Sequence, residues 1–150
     1  MKNATRNLIA MALLGVPVAG CSFGEPTRYA VTGTVTMDGA PAPFVVVSFR
    51  SPEANSRGGG SGPTDATGKF TIGETGKASG LPAGEYKVTF SQTLVNGKPT
   101  LAGSGGKPGE KVKTEKEAVP DDYRDPEKTP ITATIGSGTN DFTFDIKVKK

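Results

Sequence analysis

The sequence predicts an all-β domain, about seven strands folded as an antiparallel β-sandwich. Three observations carry that prediction. Polar and apolar residues alternate at period two in several short stretches, the pattern of a strand with one buried face. The apolar positions are filled mainly by Val, Ile, Phe and Tyr, with Thr beside them, the residue types that suit a pleated surface. Turn formers punctuate the chain: 21 of 150 residues are Gly and 12 are Pro, the Gly content being about twice the usual share.

The first 20 residues read as a leader. Lys2 and Arg6 make a basic start, residues 8–19 (LIAMALLGVPVA) are apolar, and small residues follow, the three parts of a secretory signal. The apolar run is shorter than the ~20 residues that a permanent membrane helix needs. Val18-Ala19-Gly20 then precede Cys21, the only cysteine. This segment resembles a bacterial lipoprotein signal with its lipobox. The resemblance implies cleavage before Cys21, a diacylglyceryl thioether on its sulfur and an acyl group on the new amino terminus. Val18 stands where Leu is commoner. The tether at residues 21–28 is short. Its seven residues after the cysteine reach about 25 Å when extended, so the domain is expected close to a membrane. Ser22 replaces the Asp that retains some lipoproteins at the inner membrane, which favours an outer membrane.

The domain proper is expected over residues 29–149. Residues 29–37 (YAVTGTVTM) alternate as a strand, with Tyr29, Val31, Val35 and Met37 inward, and Asp38-Gly39 turn the chain. Residues 44–50 (FVVVSFR) predict a second strand with Val45, Val47 and Phe49 in the core. Residues 51–63 are rich in Gly and Ser and read as a mobile loop. They lack the Gly-Lys-Ser/Thr ending of a phosphate-binding loop. Asp65 and Gly68 suit a turn, because Asp bonds backbone two residues on and Gly takes positive φ. Phe70 and Ile72 then point inward, and after a turn at 81–84 so do Tyr86, Val88 and Phe90.

Gly33-Thr34-Val35, Val45-Val46-Val47, Thr64-Asp65 with Gly68-Lys69-Phe70, and Leu81-Pro82-Ala83-Gly84-Glu85-Tyr86-Lys87-Val88 together resemble the carboxypeptidase regulatory-like domain. The resemblance covers residues 29–91, with a weaker continuation over 119–148. It implies a transthyretin-like (prealbumin-like) sandwich. It implies no reaction, because these positions are turns and core. Asp65, Gly68, Gly84 and Tyr86 are accordingly structural.

Residues 92–118 are expected to form a long flexible insertion, since 103–117 (GSGGKPGEKVKTEKE) has little to bury. Asn96-Gly97 are suited to the tip of a short hairpin. Val119-Pro120-Asp121-Asp122-Tyr123 resembles a Val/Ile-Pro-x-x-Tyr segment that precedes the last strands of small bacterial lipoproteins. Tyr123 is expected to pack over the domain edge. Asp121, Asp122 and Asp125 are weak candidates for a cation site, against the plainer reading of solvated turn acids. Residues 130–135 and 140–149 close the domain as strands. The second places Phe142, Phe144, Ile146 and Val148 inward.

The charge and residue inventory limits function. The whole chain carries +3 and contains no His. Loss of Lys2 and Arg6 with the leader brings it near neutrality, and no basic stripe is interleaved with aromatics, so nucleic acid is not an expected partner. Without His there is no Ser-His-Asp triad, and most zinc sites are excluded. The expectation is a non-catalytic, membrane-anchored envelope module without cofactor, reaching the membrane through Cys21. Its partner would be an envelope protein or glycan. Carbohydrate or peptidoglycan binding is the alternative, and a small hydrolase ranks below it. A covalent Lys–Asn stalk of the collagen-adhesin B type is disfavoured by the lack of Lys in residues 29–37.

Overall fold

The computed structural model describes residues 26–52, 58–74, 79–101 and 115–148. The leader, the lipobox with Cys21 and most of the tether lie outside the described residues, as do residues 102–114 of the insertion. The described chain is all-β, with a single turn of helix. In order the elements are β1 (Arg28–Tyr29), β2 (Val31–Met37), β3 (Ala40–Pro41), β4 (Val46–Arg50), β5 (Gly60–Pro63), β6 (Lys69–Ile72), β7 (Leu81–Pro82), β8 (Gly84–Ser91), β9 (Thr93–Val95), β10 (Lys98–Thr100), β11 (Glu115–Glu117), α1 (Asp121–Arg124), β12 (Thr132–Ile135) and β13 (Asp141–Ile146).

Two sheets share the core. One has the order β12-β8-β4-β5 and is antiparallel throughout. In the other, β2 lies between β13 on one side and β3 with β6 on the other. The expectation of wholly antiparallel pairing fails at one place. β13 runs parallel to β2 along its whole length, from Asp141 opposite Thr32 to Ile146 opposite Met37. A parallel pair needs a long crossover, and here all the intervening chain supplies it. Period two alone carries no information about direction.

The alternation at the sequence level places the core. Val31 and Val35 of β2, Val47 and Phe49 of β4, Phe70 and Ile72 of β6, Tyr86, Val88 and Phe90 of β8, Ala133 and Ile135 of β12, and Phe144 and Ile146 of β13 are all buried in one cluster. Tyr29, Met37, Tyr123, Ile131 and Phe142 pack against it half-buried. Phe49 joins the two sheets. Its ring lies 6.2–6.3 Å from those of Phe70, Tyr86, Phe142 and Phe144. Such offset and edge contacts add to the burial of each ring, about 0.5–1.5 kcal/mol per pair.

Gly33 makes that aromatic cluster possible. A Cβ there would lie 2.2 Å from the Phe142 carbonyl oxygen and 2.7 Å from the Phe70 ring. The ring therefore rests on bare backbone in mid-strand.

Three further expectations are corrected. The second strand begins at Val46 instead of residue 44, because Phe44 has φ 56° in the turn before it, a conformation that no strand contains. The last four residues of the expected loop at 51–63 are strand β5. Gly60 and Gly62 lie against Leu81, Ile72 and the Thr71 carbonyl, where a Cβ would meet atoms at 2.8–3.3 Å. The glycines that resemble loop composition are what lets this strand lie so close. The flanks of the insertion are paired as well. Within it the short hairpin expected at Asn96-Gly97 is present: β9 and β10 flank Asn96 (φ 53°) and Gly97 (φ 76°), the positive angles of a type I′ turn. β11 adds to the other side of β9.

Replacing Gly33 with Ala is expected to destabilise the domain by about 2–4 kcal/mol, the range of a severe core clash. The loss is read as a lower urea midpoint with an unchanged slope.

Candidate functional site

Strand direction sorts the chain into two ends. β2 leaves the first end at Val31 and reaches the second at Met37. At the first end Arg28 pairs with Pro82, and its guanidinium donates to the Gly80 carbonyl at 3.1 Å. The buried Asn140 holds the neighbouring loop there. Its Oδ1 accepts from the Gly136 N–H at 2.9 Å and its Nδ2 donates to the carbonyls of Gly136, Gly138 and Ala30. Gly60, packed on Leu81, brings residues 58–60 to the same end.

The second end is built around two polar side chains. Thr64, 2 % exposed, donates through Oγ1 to the Ala42 carbonyl at 2.7 Å and accepts from the Val45 N–H at 2.9 Å. Gln92, where β8 gives way to β9, donates through Nε2 to the Pro43 carbonyl at 2.6 Å. Glu117 then ties β11 to this break. One carboxylate oxygen accepts the Ser91 hydroxyl at 2.6 Å. The other accepts the N–H groups of Gln92 at 2.7 Å and Val119 at 3.0 Å. The sheet β10-β9-β11 therefore projects from the end opposite Arg28. Among the described residues, 58–60 and the sheet β10-β9-β11 lie at opposite ends.

The candidate residues separate in the same way. Asp65 Oδ1 accepts the Thr67 hydroxyl and N–H, both at 2.7 Å, and the Lys69 N–H at 3.0 Å. The Thr67 hydroxyl above all, then the two backbone donors, holds its carboxyl below the usual range. Gly68 completes the turn at φ 81°, and Gly84 opens β8. The Tyr86 hydroxyl donates to the Pro82 carbonyl at 2.9 Å, and burial raises its pKa. All four hold turns or core together.

Asp121, Asp122 and Asp125 do not converge. Asp121 pairs with Arg124 on the next turn of chain. Asp125 accepts the Glu127 N–H at 2.9 Å and faces Lys128 at 3.5 Å. Among the described residues no three His, Cys, Asp or Glu side chains gather as a metal site, and no helix is long and apolar enough to cross a membrane. Tyr123 packs half-buried against the core.

Sequence reasoning overlooked Glu117 and Asp145. Asp145 fastens β13 to the β2–β3 turn: Oδ1 accepts the Thr36 hydroxyl at 2.8 Å and the Gly39 N–H at 3.0 Å, and Oδ2 pairs with Lys147. Lys147, with the two donors, lowers the Asp145 pKa to about 2, and Asp145 raises that of Lys147. The available signal was an acid on a strand facing a turn closed by Asp-Gly. Compared with protein families, curated proteins and solved structures, the chain matches none.

Because the folded-state pKa of Asp145 lies below its ordinary 3.8, its contribution is complete above that ordinary value. It fades as pH falls through about 2. The urea midpoint of the native chain should therefore exceed that of Asp145→Asn near neutral pH. The gap should close progressively in acid, as a titration of both proteins from pH 7 downward will measure.

Proposed function

We propose that this chain is a lipid-anchored protein of the bacterial cell envelope whose β-domain is a non-catalytic structural or binding module. The observation that carries the reading is Val18-Ala19-Gly20-Cys21 at the end of an apolar leader, with the cysteine the only one in the chain. A lone thiol beside small residues is suited to lipid transfer, and two or three acyl chains anchor firmly at ~0.8 kcal/mol per buried CH₂. The first strand begins at Arg28, seven residues beyond Cys21, which keeps the domain at the membrane surface. Ser22 favours an outer membrane.

The two sheets are read as a sandwich of the transthyretin type. Support comes from their shared core and from Tyr86, whose hydroxyl bonds to backbone four residues upstream, the arrangement of a tyrosine corner in β-sandwich proteins. A non-catalytic role accords with the absence of His and with acids that serve turns. The aromatic rings of Phe49, Phe70, Phe90, Phe144 and Tyr86 are spent on the core, which weighs against a stacking face for sugars.

In cells fed a clickable palmitate analogue, the native chain is expected to take up label and sediment with membranes through a high-salt wash. Cys21→Ala should lose the label and move to the soluble fraction. Persistent membrane association of the unlabelled variant would sink the reading.

A further inference from the structure

Exposed strand edges template pairing with other chains, and proteins blunt them with prolines, charges or cover. The outer strands here differ in that respect. β3 carries Pro41, β5 ends on Pro63 and β10 holds Pro99. β5 backs onto β6, with Gly62 close against the Thr71 carbonyl. β11 and β12 also lack proline but have only three and four residues. β13 has six residues and no proline, its charges Asp141 and Asp145 are the acids whose pairing sets the register below, and among the described residues it pairs on one side only, with β2.

Its backbone shows which groups face outward. The Thr32 N–H donates to the Asn140 carbonyl and the Asp38 N–H to that of Ile146, both at 2.9 Å. The Val148 N–H turns to the same side, toward Asp38 Oδ1 at 3.2 Å. Even-numbered residues therefore direct their amide groups at β2 and its turn. Asp141, Thr143, Asp145 and Lys147 direct theirs away from it.

We propose that this edge pairs with the same edge of a second copy, antiparallel, about a two-fold axis at Phe144. Hydrogen-bonded pairs in an antiparallel ladder form between residues whose groups face the partner, so odd residues must meet odd residues. Centring the axis on Thr143 sets Asp141 against Asp145. Centring it on Asp145 sets that carboxylate against itself. Both registers place like charges opposite each other. Centring it on Phe142 or Ile146 shortens the overlap. The axis at Phe144 alone uses the whole strand, sets Asp141 against Lys147 and Thr143 against Asp145, and places the half-buried Phe142 beside Ile146 on the inner face. Lys147 then lies between its own Asp145 and Asp141 of the second copy. The inference rests on the strand edge and is independent of the lipid anchor.

Sedimentation equilibrium of the full chain in detergent tests it. The native chain is expected to be a dimer at about 100 µM, an affinity suited to a small interface. Asp141→Lys and Lys147→Asp, both at exposed positions, should each weaken association by about tenfold through like charges on both sides of the axis. The double exchange should restore it, and far-ultraviolet circular dichroism should remain native throughout. A monomer at that concentration overturns the proposal, as does a double exchange as weak as the single ones. So does a photo-cross-linker at Thr143 that captures a different protein and no second copy.

Discussion

The fold depends on how closely Phe70 approaches Gly33. β2 is flanked on both sides, by β13 and by β6 with β3, so its side chains can project only into the core or out of it. At residue 33 any side chain would strike the Phe142 carbonyl and the Phe70 ring. Its absence lets Phe70 lie low enough to meet Phe49 of the opposite sheet and to stack on Phe144 of the strand beyond. Packing at this density leaves little freedom to relax. Gly33 thus sets the spacing at the centre of the apolar layer that the two sheets share.

The position of β13 beside β2 follows from the same centre. β13 must present Phe142 and Phe144 to Phe49 while filling the free side of β2. Asp145 supplies polar closure, reaching across to Thr36 and to the turn at Gly39. Asp38 answers by accepting the Val148 N–H at 3.2 Å. The last strand is thereby secured at both ends, through Asn140 at one and through this pair of acids at the other. Among the described residues no strand pairs with its outer edge.

Much of this was legible from residue pattern. Alternation identified the inward residues of β2, β6, β8 and β13, because each has one face in the core, and Asp65 with Gly68 announced a turn through well-known side-chain chemistry. Pattern failed where backbone proximity, not side-chain polarity, made the structure. Gly60 and Gly62 resemble a loop until Leu81 and Thr71 are seen against them. The charged run at 115–117 resembles solvent-exposed chain, yet Glu117 is the acceptor that fastens it to Ser91 and Gln92. Strand direction was illegible for β13, since reversing a strand leaves its alternation unchanged. The lipoprotein reading of Cys21 belongs to a different kind of evidence: it rests on residue pattern alone, and Cys21 lies outside the described residues.

In the proposed lipid-anchored dimer, the anchor and the edge pairing together would constrain orientation. A tether that reaches about 25 Å is comparable with the length of β8, about 27 Å for eight residues. A single anchored copy is therefore free to stand on the Arg28 end, with the sheet β10-β9-β11 directed away from the membrane. Antiparallel pairing at β13 reverses the strands of the second copy about an axis perpendicular to the sheet. The two Arg28 ends then point in opposite directions, and both lie equally close to one membrane when the sheets lie flat on it. In that arrangement the two small sheets move from the top of the molecule to its flanks. The oligomeric state would thus decide which layer of the envelope the ends of the insertion, at residues 101 and 115, can meet.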